Sequence, residues 1–328
     1  MRYRAVFAAL AVAVMILGAQ VAVGQQPHKP ARIGVLAVNA CPDAAHPFIN
    51  GLAELGYVID RDIMIECVLA GDRIDRLPEL ADELVRRNVD IITAGSTSTV
   101  LAAQRATQTI PIVMISGADA VREGLVASLA RPGGHTTGVT LSGIELAGKR
   151  LELLREMVPR LKRLAVLIRR GGAGEYSDTF LHELRTVAQP LAIATSVIEA
   201  GNASEILAAF DEAMARDRPD AVYVSQSPLF SGQAELIGAL ARRDRLPAVS
   251  SYPALTRAGG LIAYGPSYDH MFRLAANYVD RILRGAKPAD LPIQQPTRFE
   301  LVLNAATARA LGIEIPASLL ARADEVIE

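Results

Sequence analysis

The sequence predicts an α/β fold built on parallel sheets in two lobes, and three observations predict it. Short apolar runs alternate with amphipathic segments along most of the chain. Hydrophobic residues make up 51% and charged residues 21%, with no Trp, few aromatics and abundant Ala, Leu, Val and Ile. That mix suits strands buried on both faces beneath Ala/Leu-rich helices, and it excludes a disordered chain. Finally, one order of segments occurs twice: PARIGVLAVN, NVDIITAGSTS and TIPIVMIS are echoed by LKRLAVLIRR, RPDAVYVSQSP and RLPAVSSY. Buried parallel strands resemble one another without duplication, but three matches in the same order favour two lobes of like architecture.

The chain opens on MRYRAVFAALAVAVMILGAQVAVGQQP. Arg2 and Arg4 precede an apolar core from Val6 to Leu17, and Ala22-Val23-Gly24 offers small residues for cleavage. Residues 1–24 read as a signal peptide, with an uncleaved membrane anchor as the alternative. No Cys stands near the cut to take a lipid anchor. The expected location is therefore the periplasm. Loss of the two arginines takes the formal charge from -1 to -3, which excludes the basic face of a nucleic-acid partner.

The first strands fall at Ile33–Val38, Ile63–Leu69, Ile91–Ala94, Ile112–Ile115 and Gly138–Leu141. Helices are predicted at Pro47–Leu55, Asp75–Arg87, Thr99–Thr107 and Val121–Ala130, where RPGG breaks the chain. A second series follows at Leu164–Ile168, Ile193–Ile198, Ala221–Val224, Ala248–Ser250 and Leu261–Tyr264. Its helices are predicted at Asp178–Val187, Ser204–Arg216 and Ala234–Arg243. A helix at Tyr268–Leu283 and a strand at Phe299–Leu303 read as elements handed back, one to each lobe. The division expected is residues 31–142 plus about 265–290 for the first lobe, and 143–264 plus about 291–328 for the second. The two cysteines, Cys41 and Cys67, follow or end neighbouring strands. They form either a disulfide or two separately buried thiols, and no metal site can be built from them.

In open parallel sheets ligands bind beyond the carboxyl ends of the strands. The residues there are Asn39 to Cys41, Ser96 to Thr99 and Ser116 to Asp119 in the first series, then Arg169 to Gly174, Ser225-Gln226-Ser227 and Ser250 to Tyr252. They are mostly small and polar, a set suited to a small polar molecule. GSTST lacks the Lys of a phosphate loop and the second Gly of a nucleophile elbow. It reads as an anion-attracting helix N-terminus at Ser96, Thr97 and Ser98, or as a plain cap made by Ser98. Asp119 either meets a ligand amine or caps a helix, and Arg169 either clamps an anion or is solvated. Tyr176 and Tyr252 are candidates for a stacking wall, whereas Tyr264 and Tyr268 read as packing residues. The five histidines show no metal-ligand spacing. Asp82-Glu83 and Asp211-Glu212 fall on solvated helix faces, so neither an acid–base pair nor a cofactor site is expected.

From about Ile33 to Glu328 the chain resembles the ABC-transporter substrate-binding family that includes tryptophan- and tyrosine-type uptake receptors. The resemblance rests on FINGLAELGYVIDRDIMIE, DRLPELADELVRRNVDIITAGS, TIPIVMISGAD, GLVASLARPGGHTTGVT, ELAGKRLELLREMVP, the run from AGGLIAYGPSYDHM to FELVLN, and ALGIEIPASLLARADEVIE. It implies two Rossmann-like lobes joined by three crossings, the type I periplasmic binding protein architecture, closing on a ligand by hinge motion. It also implies ligand contacts at Ser96, Thr97 and Asp119, and at Ser225 to Ser227 and Tyr252. The chain departs from the family pattern at GADAVREG, at RRGGAGEYS and in its two cysteines. The ligand class implied is a small amino acid, aromatic or carboxylate compound.

The expected function is capture of a small organic solute for an ABC permease and its ATPase, by a monomer that does no chemistry. A repressor of like architecture needs an N-terminal helix-turn-helix, where this chain carries its signal-like stretch. A two-lobed racemase needs a thiol from each lobe, and both cysteines fall in the first. A ligand-sensing receptor subunit without a transport role remains an alternative.

Overall fold

The computed structural model describes residues 29–71, 73–117, 119–141, 145–170 and 178–328. The signal-peptide expectation for residues 1–24, and Gly171 to Gly174 with Tyr176, lie outside the described residues.

The first lobe holds β1 (Ala31–Ala37), α1 (Pro47–Glu54), β2 (Ile63–Leu69), α2 (Leu77–Arg86), β3 (Ile91–Ala94), α3 (Thr97–Ala106), β4 (Ile112–Gly117) and β5 (Thr136–Thr140). The sheet order is β2-β1-β3-β4-β5 and every pairing is parallel. The second lobe takes α4 (Glu145–Met157), β6 (Arg163–Arg169), α5 (Asp178–Ala188), β7 (Ala194–Ala200), α6 (Ala203–Arg216) and β8 (Ala221–Val224). It continues with α7 (Pro228–Gly232), α8 (Ala234–Arg243), β9 (Ala248–Ser250), α9 (Pro253–Arg257) and β10 (Ile262–Pro266). The chain then returns α10 (Tyr268–Leu283) to the first lobe and gives β11 (Phe299–Asn304), α11 (Ala305–Leu311), α12 (Ala317–Leu320) and β12 (Glu325–Ile327) to the second. The seven-stranded second sheet runs β12-β11-β10-β9-β8-β6-β7.

Apolar runs without alternation imply strands covered on both sides, and the cores show why. Leu164, Val166 and Ile168 of β6 pack in one cluster, while Ala165 and Leu167 pack in another on the opposite face. The first sheet is likewise flanked by two clusters. In one of these, Met271, Ala275, Ala276 and Val279 of α10 meet Phe48 and Leu52 of α1, so the returning helix carries an apolar stripe at helical spacing.

Three passes of chain link the lobes, between β5 and α4, between β10 and α10, and on the approach to β11. The third runs beside the other two: Thr140 N donates to Gln294 O, and Ser267 N donates to Arg298 O, both at 2.9 Å. On β5, Gly138 is fixed by the close approach of its neighbour β4. Its φ is +127°, and an added Cβ would stand 2.0 Å from the Met114 carbonyl oxygen, a position only glycine tolerates.

Three features differ from the sequence-based expectation, and one open alternative is decided. β11 runs antiparallel to β10, because α10 between them packs on the first lobe instead of crossing the second sheet, and the chain re-enters beside the end where β10 leaves. Val121–Ala130 forms turns instead of a helix; Gly124 takes φ +68° and the segment folds back so that Ala120, Leu125 and Val126 are buried. The helix α4 was not anticipated, nor were the short helices α7 and α9 that follow strand ends. Cys41 and Cys67 form a disulfide with Cα atoms 5.9 Å apart, reached because β1 and β2 are paired neighbours.

Candidate binding cleft

The strand ends of both lobes converge on a cavity of about 590 Å³, within the range of small-molecule sites. Its first-lobe wall is built by the GSTST junction. Ser96 takes an extended conformation, with φ −160°, at the N-cap of α3. Its hydroxyl accepts from Thr99 N at 3.3 Å, and the Thr99 hydroxyl accepts from Ser96 N at 2.9 Å. This reciprocal capping box satisfies donors the helix leaves open. The cap is therefore Ser96, not Ser98, because α3 starts two residues earlier than its apolar spacing suggests. Thr97 and Ser98 line the cavity on the first turn, beside Gly95 and Ser116. The positive end of the α3 dipole thus faces the space.

The second-lobe wall starts at the ends of β8 and β9. Gln226 and Tyr252 line the cavity, as does Arg169 at the end of β6. Ser225 and Ser227 do not: both are buried behind the wall, and the Ser227 hydroxyl accepts from Leu229 N at 3.2 Å to cap α7. Asp119 also stands outside the lining. It is exposed, and its carboxylate accepts from Arg122 N at 3.2 Å. Arg170 points away, with Nη1 3.0 Å from Glu205.

Tyr252, expected from the sequence in a stacking wall, lies in the aromatic surface; the rest of that surface comes from residues assigned to packing or passed over. Tyr268 and Phe272, one turn apart on α10, line the cavity with Phe48 of α1. The Tyr252 and Tyr268 rings lie 6.1 Å apart at 31°. His46 stands edge-on to Phe272, with ring centroids 4.4 Å apart. Tyr268 was legible by the rule applied elsewhere, since it opens a helix immediately after a strand end. Asn39 sits at the mouth, where its Nδ2 donates to the Pro228 carbonyl at 2.7 Å and to Ser231 Oγ at 3.0 Å.

Charge in the cleft is balanced. Arg169 and Arg257 are matched by Asp269 and Glu300. Asp269 accepts from Arg273 Nε at 2.8 Å, and Arg257 Nε donates to Glu325 at 3.2 Å. Burial pushes the His46 imidazole below its ordinary value, with Asp43 opposing; it is the neutral acceptor of Phe48 N at 3.3 Å. Among the described residues no group of His, Cys, Asp and Glu is placed to hold a metal ion. The arrangement offers hydroxyls, a helix dipole and aromatic faces, which are groups for holding a molecule.

A family model described as ABC transporter substrate binding protein matches residues 33–327. The chain belongs to this family. Among characterised members of similar sequence is a tyrosine-binding protein of Clostridioides difficile, 27% identical over 269 residues, 81% of this chain and 76% of that one. A crystal structure of an ABC domain in complex with L-Trp, from Streptococcus pneumonia, has a TM-score of 0.82 at 24% identity. It covers 91% of this chain and 100% of that one. A conserved domain protein from Vibrio cholerae matches with the same TM-score and coverage at 26% identity. As an ABC-family substrate-binding protein, the chain has the two-lobed α/β fold, with its cavity where the lobes meet.

Proposed function

We propose that this substrate-binding protein is the exported solute receptor of an ABC importer. It captures a small organic solute between its lobes and delivers it to a membrane permease driven by an ATPase. One observation carries the reading: the cavity combines a hydroxyl-bearing helix N-terminus, at Thr97 and Ser98, with a tyrosine pair drawn from both lobes, Tyr252 from the second and Tyr268 on α10 of the first.

Those walls suit two ends of one molecule. A helix N-terminus attracts a carboxylate, and aromatic faces cover an apolar or aromatic body. An amino acid or an aromatic carboxylate fits both, and the tyrosine-binding and L-Trp-bound relatives support that class. Thr97, Ser98, Arg169, Gln226 and Tyr252 are the proposed contacts, with the Ser96 hydroxyl held in the cap. The protein works as a monomer without cofactor. Binding selects the closed form because the solute touches both lobes only there. The N-terminal stretch supports export to the periplasm, and among the described residues no helix is long and apolar enough to cross a membrane.

The test is a thermal-shift screen of the protein lacking residues 1–24 against amino acids, aromatic acids and other small carboxylates. A bound solute at a hundred times its dissociation constant adds roughly 2.7 kcal/mol of stability. A screen in which none stabilises, with turnover of one of them, overturns the reading.

A further inference from the structure

We propose that Asn39 is a positioning residue that holds the two lobes together at the cleft mouth, and that the Cys41–Cys67 disulfide keeps Asn39 in place. The inference rests on the two-lobed capture reading above and adds a determinant of closure to it.

Asn39 lies two residues beyond β1, on the first lobe. Both hydrogen bonds of its side-chain Nδ2 go to α7 on the second lobe, to the Pro228 carbonyl and to Ser231 Oγ. The Ser231 hydroxyl in turn donates to the same carbonyl at 3.0 Å. Carbonyl, hydroxyl and amide form a closed three-member set across the lobe boundary. The fit is close as well as polar. A Cβ added to Gly232, at the end of α7, would stand 3.1 Å from Asn39 Oδ1 and 3.2 Å from its Cγ. The amide is thus spent on the other lobe, and its part in solute binding is to set how often the lobes are closed.

The segment carrying Asn39 runs from the end of β1 to α1 at Pro47, outside the sheet. Its covalent anchor is Cys41, two residues from Asn39, joined to Cys67 on β2. Cys67 is held in the sheet opposite Val35 of β1. The disulfide therefore ties the loop to the rigid part of its own lobe, and so presents the amide to α7. A loop held in its bound geometry loses less freedom on making the contact.

The consequence is a population effect. When only a fraction of molecules is closed, the apparent dissociation constant rises by the inverse of that fraction. Two neutral hydrogen bonds, each at the low end of its usual worth because the rim is solvent-accessible, correspond to roughly a five- to tenfold change in the closed-to-open ratio.

The test is small-angle X-ray scattering of the protein lacking residues 1–24, without solute, which separates this inference from the solute reading. Four samples are compared: the oxidised protein, the same protein in dithiothreitol, Asn39→Asp and Gly232→Ala. Reduction moves two electrons and two protons from dithiothreitol, which leaves as its cyclic disulfide, and yields two thiols. Asn39→Asp keeps the side-chain shape and removes the donor. The expected result is a larger radius of gyration for the last three samples than for the first, with no further increase on reducing Asn39→Asp. Circular dichroism distinguishes opening from unfolding; if reduction unfolds the chain, the two substitutions decide. An oxidised protein that is already open, or an Asn39→Asp protein that scatters like the oxidised one, overturns the proposal.

Discussion

Gln226 donates through its side-chain Nε2 to the Tyr268 hydroxyl at 2.6 Å. The bond joins a residue at the end of β8 in the second lobe to the first turn of α10, which packs on the first. A single hydroxyl therefore links the aromatic wall of the cavity to the opposite lobe. Tyr268→Phe keeps the ring and removes that link. Solute affinity should fall roughly two- to tenfold, the equivalent of one net hydrogen bond, with little change in stability. Calorimetric titration with the solute found by thermal shift checks this; an unchanged affinity would reduce the bond to decoration.

Ser96 and Ser98 separate stability from binding. The Ser96 hydroxyl is a cap, so Ser96→Ala should cost about 0.5–2 kcal/mol in urea unfolding. Ser98 lines the cavity without capping, so Ser98→Ala should leave the unfolding midpoint within experimental scatter and weaken solute binding. The reverse pattern would mean that α3 starts at Thr99 after all.

Much of the fold was readable because strands buried on both faces leave continuous apolar runs, as at Ile91–Ala94 and Ala221–Val224, where predicted and observed bounds coincide. The GSTST wall was readable for a related reason: its residues are neighbours in sequence. The aromatic wall was readable only in part: Tyr252, and by the same rule Tyr268, follow strand ends, whereas Phe272 and Phe48 meet only through the return of α10 to α1, a contact between distant segments. At Val121–Ala130 the apolar spacing is real, but Ala120, Leu125 and Val126 are buried by a fold-back at Gly124 rather than by a helix face. Asp119 could be placed only once that fold-back was known.

The side chain of Arg150 is buried at 3% exposure, with Nε donating to the Tyr264 carbonyl at 2.6 Å and Nη1 to the Tyr223 hydroxyl at 2.8 Å. Its Nη2 makes no hydrogen bond among the described residues. Arg150→Ala should cost about 2–5 kcal/mol, from the cavity left and from two unpaired oxygens. Arg150→Met should cost less, because it fills the space and removes a buried charge that is itself unfavourable. Urea unfolding of the two variants gives the comparison, and equal losses would assign the whole effect to the hydrogen bonds.

His46 sets a pH limit. Burial lowers its folded-state pKa beneath the unfolded value near 6.5, so the neutral ring favours the folded state. That contribution is complete above the unfolded value and disappears as the pH falls through the lower folded one. Protonation also removes the Nδ1 acceptor that caps α1. Stability and solute affinity should both decline on acidification from pH 7 to pH 5. His46→Ser, which can cap without titrating there, should flatten the profile measured by thermal unfolding.

The placement of α10, β11 and β12 bears on the order in which the molecule can be assembled as it is made. Synthesis runs from the N-terminus, and all five strands of the first sheet are present by Thr140. Yet the face packed by Met271, Ala275 and Val279 stays uncovered until α10 has left the ribosome. The second sheet waits longer still for residues 299–327. The first lobe cannot cover its core until most of the second has been made, and the second closes last, so the nascent chain keeps apolar surface exposed until its last elements arrive, the stage at which a chaperone would find it.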